Sequence, residues 1–479
     1  MTTKYPNPES VFKYFYEISK IPHGSGNTKA ISDYCVNIAK NAGLSYYQDD
    51  FNNVIIKKKA SLGYENHPGV IIQGHLDMVC EKESDVDFDF LKDSLNLKVE
   101  GDFLSAVGTT LGADDAIAVC YALAILTDDS IVSPPLEVIF TTDEETGMDG
   151  AINLDMSQIE GRMLLNIDSE SEGIFTVSCA GGINAEVNLP YTSSQETLNS
   201  FEITLFGLTG GHSGVEIDKK RANSNVLMAK LLSELSKIPT VRFVSVNGGH
   251  KLNAIAVETT LSVAYQKNKE EIINTINRFE KEIKEKYRLS DPEISLSFTE
   301  CDKKELLVAD ERSTNNIANA LSSLPDGIFS MSENIEGLVK TSSNMGIVKT
   351  DNDFIYILIS IRSCEETEKT KLFNIISACA ALHNANVMSS GEYPAWEYKE
   401  NSRLRDVMCE VFYKQYKKAP KTEAIHAGLE CGIFSGKLKG LDCVSFGPDI
   451  FDIHTPKERL SIASAQRVWE FILEILRNL

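Results

Sequence analysis

Apolar segments of this 479-residue chain repeatedly end in side chains that hold protons or metals. "VIIQG" runs into His75 and Asp77, and the loop "TTLGADDAIAV" offers Asp114 and Asp115 where a helix should begin. "LEVIFTTD" leads to Glu144 and Glu145, "RMLLNI" to Asp168, and "VSFGPDIFDI" to His454. Each has an ordinary explanation alone: a satisfied histidine, a pair of aspartates capping a helix, a solvated acidic turn. Together they deliver only Asp, Glu and His. That inventory suits two hard or borderline divalent cations, with a carboxylate able to bridge them and imidazoles completing each shell.

The elements that must position these groups can be read from periodicity. Helices are expected near 8–20, 27–42 and 114–127, with strands near 53–58 and 69–79 and at "LEVIFTTDEE" and "RMLLNID". This is an α/β texture, and open α/β sheets gather catalytic groups beyond the carboxyl ends of their strands. In a strand over 69–79, His75 and Asp77 share a face with Ile71 and Gln73. Burying them unpaired would cost roughly several kcal/mol, so both need partners.

After "SCAGG" (178–182) the texture changes to strands such as "FEITLFGLTG" and "FIYILISIRS" among amphipathic helices near 219–237, 268–286, 311–323 and 366–383. From about 395 the α/β texture returns, with a helix near 401–417, the strand "LDCVSFGP" and a helix near 462–478. The expectation is a discontinuous α/β domain, 1–182 and 395–479, interrupted by an α+β lid over 183–394.

Composition narrows the partners. The formal net charge of -22 would repel a phosphate backbone and argues against nucleic acid. The chain shows no signal-peptide pattern and no apolar run long enough to span a bilayer, so a cytoplasmic protein without a membrane partner is expected. Ten cysteines are scattered singly with no C-x-x-C, the pattern of reduced, buried thiols.

The series "GHLDMV", "GADDAIAV", "TTDEETG", "NIDSE", "GLTGGHSG", "IRSC", "HAGLECG" and "HTPKERL" resembles, in order and over nearly the whole chain, the motifs of the M20 family of di-zinc metallopeptidases, and within it the aminoacyl-histidine (Xaa-His) dipeptidase branch. The resemblance implies the discontinuous zinc-peptidase (phosphorylase/hydrolase-like) catalytic fold with an inserted lid. It implies two zinc ions per chain, with Mn²⁺ or Co²⁺ able to occupy similar sites. His75 and Asp168 would bind one ion and Glu145 and His454 the other, Asp114 bridging both. Asp77 would orient His75, Glu144 would be the general base, and a cis peptide would follow Asp114. Where many relatives have Asp-Asn this chain has Asp114-Asp115.

For the lid, the resemblance implies that His212 stabilises the developing oxyanion, that Arg362 grips a substrate C-terminal carboxylate, and that Asn253 lies near substrate. A dipeptidase needs an acidic group for the substrate's free ammonium, which Glu430 or Asp115 could supply, with helix-capping or structural roles as the alternative for both. The activity implied is hydrolysis of dipeptides, Xaa-His or broader, by a zinc-bridged hydroxide. Other M20 amidohydrolase activities, such as a tripeptide aminopeptidase or aminoacylase, and a peptide-binding protein without catalysis are the alternatives. A homodimer and a self-sufficient monomer both fit the sequence.

Overall fold

A computed structural model describes residues 5–479. The chain forms two compact units. The first comprises the residues up to Ser178 with Tyr398–Ala424 and Leu429–Leu479, and the second Cys179–Glu397 with Ile425–Gly428.

The first unit is built on an eight-stranded sheet in the order Ser45–Gln48, Val54–Lys58, Leu136–Thr141, Val70–His75, Met163–Asn166, Asp442–Ser445, Ile174–Cys179, Lys421–Ile425. Its four central strands, beginning at Leu136, Val70, Met163 and Asp442, run parallel. All their residues are buried, as expected of parallel strands covered on both faces. The register aligns their exits: His75 lies opposite Thr141, Gln73 opposite Asn166, and Asn166 opposite Ser445. The polar residues following each strand therefore emerge side by side.

Helix Ala113–Thr127 lies against strand Val70–His75 and helix Glu9–Ile18. It is buried from Ala113 to Leu126, which explains why its sequence has no polar face. Its first turn is irregular. Asp114 and Asp115 have non-helical backbones, and the peptide between them is cis. A small antiparallel sheet, Ile450–Phe451, Arg459–Ser461, Phe103–Ala106, Leu97–Glu100, holds the loop that carries His454.

One expectation needs correction. The strand read over 69–79 ends at His75, where Leu76 N–H donates to Thr141 O (2.8 Å). Both faces of this strand are buried, so alternation carries no exposure signal, and Asp77 lies in the turn beyond.

The second unit is a nine-stranded antiparallel sheet. Eight strands run in the order Ser295–Ala309, Ser193–Phe206, Thr259–Tyr265, Arg242–Gly248, Val339–Thr350, Phe354–Ser363, Gly181–Pro190, Asn386–Tyr393, and Gly327–Met331 pairs with Val339–Thr350. Helices Ser224–Leu235, Lys269–Lys286, Glu311–Ser323 and Glu366–Ala381 share one core with it, including Leu231, Ile276, Ile317 and Ile376 against Ile203, Phe243 and Ile359.

Candidate active site

At the carboxyl ends of the parallel strands the expected ligands converge. His75 Nε2 lies 3.2 Å from Asp114 Oδ1 and 3.6 Å from Asp168 Oδ1. His454 Nε2 lies 3.2 Å from Asp114 Oδ2 and 3.0 Å from Glu145 Oε1. Asp114 thus presents one oxygen to each histidine and joins two half-sites. His75, Asp114 and Glu145 offer ligand atoms within 4.8 Å of one another, as do His75, Asp115 and Asp168.

These residues fit divalent cations. Ligand atoms 2.0 to 2.2 Å from a tetrahedral ion sit roughly 3.3 to 3.6 Å apart, close to the observed separations. Glu145 Oε1 is buried and makes no properly directed hydrogen bond despite its 3.0 Å approach to His454. Among the described residues, the cationic partners in the ion pairs of this carboxylate cluster are the two histidines. The Asp114 and Glu145 carboxylates push His454 up to about 10. Burial would lower His75, but Asp114, Asp168 and Asp77 outweigh it and raise it. Both imidazoles report surplus negative charge that bound cations would balance.

Asp77 does more than orient His75. His75 Nδ1 approaches the Asp77 carbonyl (3.0 Å) more closely than its carboxylate (3.5 Å). The carboxylate accepts from Ser25 Oγ (2.7 Å), Glu144 N–H (3.1 Å) and Glu145 N–H (3.4 Å), fixing the turn that presents both glutamates. The Glu144 carboxyl is raised well above its usual range, by burial first and by Asp168 second.

Three supporting features escaped the sequence reading. Glu458, 2 % exposed, accepts from four successive backbone N–H groups, those of Leu111 (2.8 Å), Gly112 (2.9 Å), Ala113 (2.7 Å) and Asp114 (3.4 Å), and so clamps the loop that delivers the bridge. Gln73 and Asn166, each two residues before a ligand, bond to each other (2.5 Å). Ser25 holds Asp77. Gln73 and Asn166 are lone polar residues inside apolar strands and Glu458 is an acid already inside a motif, whereas Ser25 carries neither signal.

Glu430 requires a correction. Its side chain is fully buried, with Oε2 accepting from Gln73 Nε2 (2.6 Å) and Thr141 Oγ1 (2.8 Å), and burial pushes it up to about 8. It belongs to the interior network behind the strand ends and presents no carboxylate to a substrate ammonium. Asp115 is 1 % exposed and accepts the His75 N–H (3.2 Å), which turns it inward as well.

In the second unit, His212 and Asn253 line one cavity of about 360 Å³ together with His250. His212 Nδ1 accepts from Gly214 N–H (3.1 Å) and Val215 N–H (3.2 Å), which leaves Nε2 as the protonated, donating nitrogen. Burial, then the Arg362 guanidinium, lowers its pKa and keeps the ring neutral. Arg362 is 9 % exposed and donates to Tyr393 Oη (2.9 Å), while its Nε has no partner. His426, from the "HAGLECG" segment, lies in this unit, buried and bonded to Ser342 Oγ (2.7 Å).

Comparison with known proteins agrees with this geometry. Residues 71–478 match the model of peptidase family M20/M25/M40. The chain is 33% identical over 477 residues to the cytosol non-specific dipeptidase of Escherichia coli (strain K12), covering 99% of this chain and 98% of that protein. It resembles the crystal structure of an aminoacylhistidine dipeptidase from Vibrio alginolyticus with a TM-score of 0.91 at 33% identity, over 99% of this chain and 97% of that one. Aminopeptidase PepT from Bacillus cereus shares the fold at 14% identity, with a TM-score of 0.57 and 98% of both chains covered. The chain belongs to peptidase family M20/M25/M40.

Proposed function

We propose that this protein is a dinuclear metallopeptidase that hydrolyses dipeptides. The observation that carries the reading is Asp114, whose two oxygens address His75 and His454 separately. Two relatives with dipeptidase names, each matching nearly the whole chain at 33% identity, support it. His75 and Asp168 would hold one ion and Glu145 and His454 the other, Asp114 joining them. Zinc suits this nitrogen and oxygen set, with manganese or cobalt as substitutes. A cytosolic setting and either a monomer or a homodimer are compatible with the same reading.

When bound, the cations would polarise the scissile carbonyl and acidify a water. The protein's own groups carry the proton. With the cations offsetting the burial and neighbouring carboxylates that raise its pKa, Glu144 would be ionised, accept the proton from the attacking water and return it to the departing amine nitrogen, a transfer typically worth about 10²- to 10⁴-fold. Asp77 keeps Glu144 in place through its backbone N–H. Neutral His212, donating from Nε2, would stabilise the oxygen that becomes negative, and Arg362 would receive the substrate's C-terminal carboxylate.

Matched dipeptides, tripeptides and N-acyl amino acids offered to metal-loaded protein test this reading. Dipeptide turnover should vanish on chelation and return when zinc, manganese or cobalt is restored. Preferred cleavage of tripeptides or N-acyl amino acids would move the protein to another activity of its family. Dipeptide binding without hydrolysis at stoichiometric zinc would refute catalysis.

A further inference from the structure

Arg362 is nearly buried, and none of the ion pairs among the described residues supplies it with a carboxylate. A buried guanidinium without a counter-ion is expensive unless a ligand completes it. Its nearest charged influences are on neutral rings: after burial itself, Arg362 is the next cause of the lowered pKa values of both His212 and His426. It donates its hydrogen bond to an uncharged phenol two strands away.

The sheet register explains how the phenol reaches so far. Arg362 lies opposite Gly182, and Gly182 lies opposite Tyr393, so the three sit abreast on neighbouring antiparallel strands. Directly opposed residues project from the same face. With strands about 4.8 Å apart, any side chain at the middle position would separate the outer two. A Cβ on Gly182 would lie 2.5 Å from Tyr393 Cε1 and Cζ and 2.6 Å from Oη. The glycine is therefore a slot, and the Tyr393 ring lies through it to accept from Arg362 Nη1 at 2.9 Å. That bond occupies Nη1, while Nε is buried and has no partner in the protein, so the guanidinium edge that bears it still lacks the carboxylate that two-point recognition would supply.

We propose that Tyr393, seated across Gly182, is the positioning residue that aims Arg362 at a substrate's terminal carboxylate and so sets the preference for free-acid dipeptides over substrates lacking that charge. This rests on the reading of Arg362 as the carboxylate ligand. Ser342, opposite Arg362 on the other side, is bonded to His426, so the far side of the guanidinium is walled by an uncharged ring. Arg362 thus has a fixed direction and an unmet charge.

Kinetics of the metal-loaded enzyme on a dipeptide and its C-terminal amide test this, with KM read for each, or Ki where the amide turns over slowly. Wild type should favour the free acid by about 10- to 100-fold, the worth of a charge-assisted contact. Tyr393→Phe, which removes only the hydroxyl, should raise KM for the free acid at least fivefold more than for the amide, with kcat for the free acid little altered. Gly182→Ala should do the same by displacing the ring. A Tyr393→Phe enzyme that keeps the full preference, or loses equally on both substrates, overturns the proposal. If instead wild type shows no preference, or Arg362→Met retains it, the Arg362 reading itself fails, a result that the Tyr393 comparison cannot produce.

Discussion

At the scale of single residues, the carboxylates surrounding the ligands have distinct duties. Asp77→Ala removes the acceptor for Ser25 and for the backbone of Glu144 and Glu145. It should cost about 1 to 3 kcal/mol in urea unfolding as well as activity, because buried donors lose their partner. Glu458→Gln acts on the bridge instead. A neutral amide grips four N–H groups less well than a carboxylate, and support of this kind is typically worth about 10- to 100-fold in metal affinity. Competition against a chelator of known affinity measures that loss; unchanged affinity would make the clamp purely structural. The candidate ligands were legible as candidates because Asp, Glu and His are conspicuous after apolar strands, while their division between two ions came only from the family resemblance. Glu458 was not legible, because its duty consists entirely of backbone contacts that cross the chain from 458 to 111–114. Which of the two roles open to Glu430 applies was not legible, since a motif position says nothing about which way a side chain turns.

At the scale of elements, the loop carrying His212 is pinned at both ends by a side chain remote in sequence. Asp291, fully buried, accepts from Thr209 N–H (2.9 Å) and Ala222 N–H (2.9 Å), and Glu216 accepts from His212 N–H (2.9 Å). Asp291→Ala strands two backbone donors and should cost roughly 2 to 5 kcal/mol in chemical unfolding. The short segment Ile425–Gly428 holds a pH-dependent contribution. Burial first, then Arg362 and His212, lowers His426 to about 3. A depressed folded pKa gives stability that is fully present above the unfolded value near 6.5 and is lost as pH falls towards 3. At pH 5 the loss is about 2 kcal/mol. His426→Gln should flatten this part of the stability profile, and an unchanged slope between pH 6.5 and 4.5 would contradict it. Helices were legible to within a few residues, as in 311–323 and 462–478, because amphipathic periodicity survives on a one-sided surface. The end of strand Val70–His75 was not, since burial on both faces erases the alternation that marks a boundary.

At the scale of the whole molecule, the carboxylates gathered around His75 and His454 have no lysine or arginine ion pair among the described residues, so bound cations should stabilise the first unit. A cation present at 100 times its Kd adds about 2.7 kcal/mol. Calorimetry with and without chelator should show Tm falling when metal is removed and recovering when it is restored. No helix among the described residues is long and apolar enough to cross a membrane. In the sequence, strand and helix composition shifts near 178–182 and again near 395, and the two compact units divide after Ser178 and after Glu397. The assignment of Ile425–Gly428 to the second unit was not legible there, because it depends on tertiary bonds such as Ala180 N–H to Ile425 O and Ala427 O (both 3.1 Å). The most direct test of the account compares wild type with Glu144→Gln for bound metal and dipeptide turnover in the same preparations. Equal metal content and a kcat lower by about 10²-fold or more are expected. Equal metal with undiminished turnover would contradict this.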